Sequence, residues 1–564
     1  MLGTRRPVAA TLAVLLAAIA LSACGHVGDA VGTVAASPAP AVFNIDWGAD
    51  PPGLNPITTS NNISFDVLNQ VMEGLTRLNA QGVPQPGIAE TWSVSADGRT
   101  YTFHLRHAEW SNGAPVQAGD FVYAWQQALD PRNGAQNAGE LQYISGASAL
   151  IHFQLPDAKT DPTAYAAAGA KIAQLEAALG VRAPNSRTLV VTLAQPTPFW
   201  LGLTALPVYF PADQAEVSGW GMAEYGSDPQ HMVFDGPFTI SAWVHNQYLD
   251  LRKNQKYWDA AHVHLDGVHG VMVSDATTVD NLYQVGQLDV LPSIPPQFLA
   301  EYQGKPGFHS APLAQTWYLE VNIQSKPLGN VLIRRAFSEA IDRAAFSSKV
   351  VPGSSPAYAF TPPTVHYAPG RLFTDLVGHV LPTTADPTSA RQDLAAGLQA
   401  SGMSHLPTVT LVVPQTSTAQ LEAAALQGMF RQNLGVTVDV QAVDFKTYLQ
   451  LIGQGRFSMV LSAWGADYDD PSTFLDLWTS GSPFNSIHWH DAAYEADMQA
   501  AQSTLDTARR GADLAAAEKV LLSQLPVIPL YWPARNWIAQ PNVRGLVFYL
   551  TGPDYSLKGV TMTG

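Results

Sequence analysis

The sequence predicts an α/β protein built from more than one domain, on three observations. Its 564 residues exceed what one hydrophobic core normally organises. From about Phe43 onward, strand-like and helix-like segments alternate without a repeating period. Residues 408–413, 419–434 and 436–440 read as strand, helix and strand, a βαβ unit that calls for a parallel pair in the C-terminal half.

Taken in chain order, the first element is an export signal. Arg5 and Arg6 precede an uncharged run over 7–23, and small residues lead up to Cys24. The apolar core of that run falls short of the ~20 residues needed to cross a bilayer. Residues 1–23 are therefore expected to be a cleaved signal peptide. Leu21-Ser22-Ala23-Cys24-Gly25 is similar to a bacterial lipobox, which makes Cys24 the expected lipidation site. Cys24 is also the only cysteine, so neither an internal disulfide nor a cysteine metal site can form. Residues 24–42 are small, flexible and proline-bearing, and read as a tether between lipid and folded body. The expected location is extracytoplasmic, on the outer face of the cell membrane, held through the lipid alone.

Within the body, 100–105 (TYTFHL) alternates like a half-buried strand. Residues 120–129 carry apolar side chains at helical spacing, with Asp120 placed as the N-cap. The alanine-rich stretch 156–180 reads as a surface helix. A further helix over 331–344 would line Ile333, Phe337, Ala340 and Ile341 along one face.

Composition removes several function classes. Thirty basic against 46 acidic residues give a net charge of −16, and loss of Arg5 and Arg6 with the signal moves it to −18. Nucleic-acid binding needs a basic footprint that is missing here. With 46% apolar and 13% charged residues, the body is not a disordered chain. No G-x-S-x-G, H-E-x-x-H, phosphate-binding glycine loop or cysteine nucleophile beyond Cys24 is present, so no enzyme activity and no cofactor are expected. His262 and His264 alternate as if on one strand face, close to His269. That pattern is either a solvated face or a pair of metal ligands, and His488 with His490 offers the same choice; no metal site is assigned. Aromatic residues beside turn residues, at Trp110, Trp317-Tyr318, Trp464 to Tyr468 and Tyr531-Trp532, could line a ligand cleft or fill cores.

Ordered motifs then point to a family. Leu54-Asn55-Pro56, Glu73-Gly74-Leu75, Pro86-Gly-Ile-Ala-Glu-Thr-Trp92, Tyr101-Thr-Phe-His-Leu-Arg106, Trp110-Ser-Asn-Gly113 and Asp120-Phe-Val-Tyr-Ala-Trp125 follow one another. Gly236-Pro237-Phe238, Tyr257-Trp258, Asn322, Ala340-Ile-Asp-Arg343 and Trp464-Gly-Ala-Asp-Tyr-Asp-Asp-Pro471 continue the series. From about residue 43 to the end, the chain resembles the extracytoplasmic solute-binding proteins of peptide-type ABC importers, solute-binding protein family 5. Tyr123 to Pro131 and Tyr318 to Asn322 are most similar to the oligopeptide receptors of that group.

The resemblance implies a two-lobed, periplasmic-binding-protein-like clamp of the type II, large peptide-receptor class, with an additional subdomain. Lobe I would comprise 43–71, 207–314 and 534–564, the extra subdomain 72–206, and lobe II 315–533, with hinges near 314 and 533. It implies a monomeric receptor that captures peptide between its lobes and delivers it to ABC permease subunits with cytoplasmic ATPases. Asp467 would receive the ligand's α-ammonium, Thr59, Ser60, Asn61 and Asn62 would be strand-like backbone partners, and Phe445, Trp464, Tyr318 and Glu320 would fall at cleft positions. Where oligopeptide receptors carry arginines for the ligand's carboxylate end, this chain has Ile452 and Leu461, with Arg456 the only base nearby. A non-peptide ligand (a nickel chelate, haem or another small solute) is the alternative, followed by an extracytoplasmic enzyme or a peptide-sensing protein.

Overall fold

A computed structural model describes residues 40–482 and 484–563, apart from the side chains of Pro296, Phe445 and Lys446. Cys24 and the signal segment lie outside the described residues.

The chain builds two large apolar cores. The first gathers residues from 43 to 290 and from 539 to 560, together with Tyr468. Its four-stranded sheet runs in the order Val42–Asp46, Gly267–Val271, Tyr248–Lys253, Phe238–Val244, with only the first pair parallel. A second four-stranded sheet is antiparallel throughout, in the order Ala89–Val94, Thr100–Leu105, Thr188–Thr192, Val181–Asn185. Tyr101, Phe103, Trp125, Trp200 and Tyr209 interlock beneath it as mainly tilted and edge-on ring pairs, the arrangement that ring quadrupoles favour.

The other core lies between 314 and 532. Its six-stranded mixed sheet runs Ser355–Pro356, Val527–Trp532, Gln315–Val321, Met459–Gly465, Val409–Pro414, Val438–Val443. The expected βαβ unit is there: Val409–Pro414 and Val438–Val443 pair in parallel across the helix Ser417–Leu434. All six residues of Val527–Trp532 are buried, as befits a strand with no solvent face.

The chain passes between the cores twice, and the crossings are side by side. Strand Phe308–Pro312 leads through Leu313 and Ala314 into Gln315–Val321, while Val527–Trp532 leads through Pro533 into Ala534–Ala539. On one side Pro312 pairs with Ala534, on the other Trp317 pairs with Tyr531. The Leu313 amide donates to the Pro533 carbonyl at 2.9 Å, tying the two crossings together.

Local structure departs from expectation at four places. Asp120 is not the N-cap of its helix, which spans Ala118–Leu129. It stands one turn in and reaches back, accepting from the Gln117 amide at 2.8 Å and from the Trp110 indole at 3.2 Å, the reciprocal half of a capping box. The helix expected over 331–344 is two, Val331–Glu339 and Arg343–Lys349. Asp342 caps the second by accepting from the Ala345 amide, and the buried Arg343 satisfies the carbonyls of Ser338, Pro382 and Pro529 at the break; all four stripe residues are nonetheless fully buried. Residues Thr59 to Asn62 are not strand-like: Asn61 caps the helix Asn62–Val71, its side chain accepting from the Ser64 amide. His262 ends a 3-10 turn, Ala260–His262, and does not share a strand with His264; its imidazole is held by Asp259 and that of His269 by Asp250. Among the described residues, no three His, Cys, Asp or Glu side chains converge to hold a metal ion.

Candidate functional site

A cavity of about 490 Å³ opens beside the crossings, and its wall is drawn from both cores. Leu313 to Gln315 and Gly465 to Asp467 come from the strand ends of the six-stranded sheet. Ser60, Asn62, Asn137 and Glu140 face them from the first core, and Arg535 and Asp554 complete the floor. A second cavity, near Glu73 and Tyr257, measures about 30 Å³, roughly the room of one water.

Asp467 sits two residues beyond the end of strand Met459–Gly465. Its amide donates to the Thr473 hydroxyl at 3.2 Å, and that hydroxyl lies 3.5 Å from Oδ2. Withdrawal from water pushes the carboxyl up to about 6, with the Thr473 contact opposing the rise. Glu140 stands in the 3-10 turn Ala138–Tyr143. The buried Tyr209 hydroxyl donates to its backbone carbonyl at 2.7 Å and fixes the turn. Desolvation, then repulsion from Asp467, pushes Glu140 up to about 8.

The two acids are brought together by rings. Tyr143, from the same turn as Glu140, meets the Tyr468 hydroxyl at 3.1 Å, and Phe199 stacks on Tyr468 with centroids 4.0 Å apart and planes 5° from parallel. Arg535 is the cation among the lining residues, but it is committed to Asp554 through the carbonyl at 2.9 Å and through the carboxylate. Neither Asp467 nor Glu140 has an ion-pair partner among the described residues. The chamber thus presents two acidic side chains without a cationic partner, suited to holding a cationic group by charge-assisted hydrogen bonds.

Comparison with known proteins identifies the scaffold. Residues 83–486 match the bacterial extracellular solute-binding proteins, family 5. The chain belongs to that family. This family 5 protein is 32% identical over 555 residues to the oligopeptide-binding protein OppA of Bacillus subtilis, covering 96% of this chain and 97% of the relative. It is equally 32% identical over 522 residues to a probable deoxycholate-binding periplasmic protein, YgiS of Escherichia coli, covering 91% and 92%. Among solved structures, OppA of Listeria monocytogenes bound to peptide superposes with a TM-score of 0.74 at 28% identity, covering 93% of this chain and 99% of that one. The fold is thus the α/β, type II periplasmic-binding-protein fold of the peptide-binding proteins, and the family is one of non-enzymatic solute binders.

The family 5 protein brings only some of the sequence-predicted residues into this chamber. Asp467, Ser60 and Asn62 line it. Ser60 is held by the Gln136 side chain, and the Asn61 amide group donates to Thr59 at 3.1 Å. Tyr318, Glu320 and Trp464 share one face of the six-stranded sheet, because Tyr318 pairs with Ser462, Glu320 with Val460 and Thr316 with Trp464. They are not among the residues that line the chamber. Tyr318 packs edge-on against Phe360 and Trp478, while Glu320 accepts from Ser486 at 3.2 Å and burial pushes it up to about 7. Trp464 packs edge-on against Phe484. Phe445 opens the helix Phe445–Gly453, and its side chain lies outside the described residues. Glu140, Arg535 and Asp554 were not legible beforehand: each is one charged residue among many, and only the crossing of distant segments sets them around Asp467.

Proposed function

We propose that this chain is the lipid-anchored receptor of an ABC importer, capturing peptides between two lobes and delivering them to a membrane permease with cytoplasmic ATPases. The observation that carries the reading is Asp467, an unpaired carboxylate in a chamber of about 490 Å³ at the junction of two cores. A peptide's α-ammonium supplies the missing partner, and a desolvated bond of that kind contributes about 1.5–3 kcal/mol. Exposed backbone at Gly465 and the strand ends beside it lets an extended ligand add hydrogen bonds that ignore side-chain identity. Residues 43–71, 207–314 and 534–564 would form lobe I, 72–206 a subdomain upon it, and 315–533 lobe II. The paired crossings at 313–314 and 533 are short and lie side by side, which suits a hinge. The peptide-bound Listeria relative supports the ligand class. No described helix is long and apolar enough to cross a membrane, so attachment would rest on Cys24.

Native mass spectrometry of the gently purified protein tests the reading. A ladder of bound masses that dissociates into peptides is expected, and Asp467→Ala should weaken binding of those peptides at least about tenfold. One discrete non-peptide mass would instead favour the alternative suggested by the YgiS relative, a receptor for another small solute.

A further inference from the structure

The chamber holds more acidic groups than one ligand amine can answer. Glu140, Asp467 and Asp554 supply three carboxyl groups and Arg535 a single cation, which Asp554 already occupies. An α-ammonium seated on Asp467 leaves Glu140 facing the same chamber without a partner. Desolvation and the nearby Asp467 push that carboxyl up to about 8, so near neutral pH it stays protonated unless a second cation stabilises its ionised form. The turn bearing Glu140 cannot easily swing it away. Tyr209 holds its carbonyl, the Glu140 amide donates to the Asn137 carbonyl at 3.1 Å, and Tyr143 at the turn's end is fixed against Tyr468.

We infer that Glu140 is a specificity-determining residue, selecting ligands with a second positive charge beside the first: peptides whose amino-terminal residue is lysine or arginine. This rests on the peptide-receptor reading and deepens it. The α-ammonium meets Asp467 and the first side chain's cation meets Glu140, so both carboxylates are paired and the repulsion between them is relieved. A neutral first residue leaves Glu140 either ionised and unpaired or protonated, and either state costs affinity relative to the basic peptide.

The test is calorimetric titration of the full-length protein, purified in detergent, with three tetrapeptides: Lys-Ala-Ala-Ala, Ala-Ala-Ala-Lys and Ala-Ala-Ala-Ala. The lysine-first peptide should bind about tenfold tighter than either of the others. The lysine-last peptide carries the same total charge, so it separates position from long-range attraction. In Glu140→Gln, nearly isosteric, the preference should shrink to within about threefold of unity. Equal affinities in the natural protein, or a preference that survives Glu140→Gln, would overturn the inference while leaving the receptor reading standing. Absence of binding by every peptide would overturn both.

Discussion

Replacing Phe199 with alanine should loosen the grip on ligand without touching the chamber. Phe199 belongs to the 72–206 segment, and its ring lies flat on Tyr468, the neighbour of Asp467. The Arg510 guanidinium stands 5.9 Å from the same ring. A stacked pair adds about 0.5–1.5 kcal/mol beyond area burial. The cation over the ring adds about 0.5–1 kcal/mol. Tyr143 packs on Phe199 within its own segment, so that contact is lost in every state and cancels. In a clamp that is open when empty, contacts made only on closing add in full to ligand affinity. The expected loss is thus roughly 1–2.5 kcal/mol, or about five- to seventyfold in Kd. Titration calorimetry with a peptide recovered from the native protein measures it, and thermal unfolding of the empty protein checks that the fold survives. A folded variant whose Kd lies within twofold of the natural protein would refute the argument that this ring contact is made on closing.

Further expectations follow from burial and charge. Glu320, Glu422, Asp476 and Glu518 are each pushed up to about 7 by burial, so they stay protonated in the fold where the unfolded chain has already ionised. Between about pH 4 and 7 the folded state therefore holds more protons, and stability must fall as pH rises. The empty protein should melt lower at pH 8 than at pH 5.5, and Glu422→Gln should melt above the natural protein at pH 8, by a margin that narrows at pH 5.5 and closes near pH 4. Ligand affinity should run the other way: Asp467 titrates near 6 when empty, so peptide binding should weaken as pH drops below about 6. Arg510 and Asp470 form a buried two-bond pair at 2.6 and 2.8 Å, and Arg510→Met, which strands the carboxylate, should cost about 3–5 kcal/mol in urea unfolding. Cys24→Ser should abolish labelling by a radioactive fatty acid and release the protein from the membrane fraction.

Much of the scaffold was legible because it is written locally. The alternation of 100–105 gives the strand Thr100–Leu105 at those bounds, since a half-buried strand needs only a period of two. The βαβ unit was equally clear from its apolar runs, although the two strands begin one and two residues later than expected. The break at Asp342 was not clear, because the apolar stripe continues through it and only the capping hydrogen bond and the carbonyls answered by Arg343 show the turn. Asn61 sits in an Asn-rich stretch that reads equally well as extended backbone until its side chain is seen to cap a helix.

By itself, then, the sequence determined the single cysteine, the acidic balance, the α/β class and the motif series that places the chain in its family. All of these are properties of neighbours along the chain or of plain composition. Tertiary structure alone decided which acids share a chamber. Glu140 and Asp467 lie more than three hundred residues apart, and they face one cavity because Tyr143 meets Tyr468 and two strands cross between the cores side by side. Arg535 stands beside them yet is spent on Asp554, a pairing that spacing could not reveal. The charge left unanswered there is a sum over distant segments, and that sum exists only once the chain has folded.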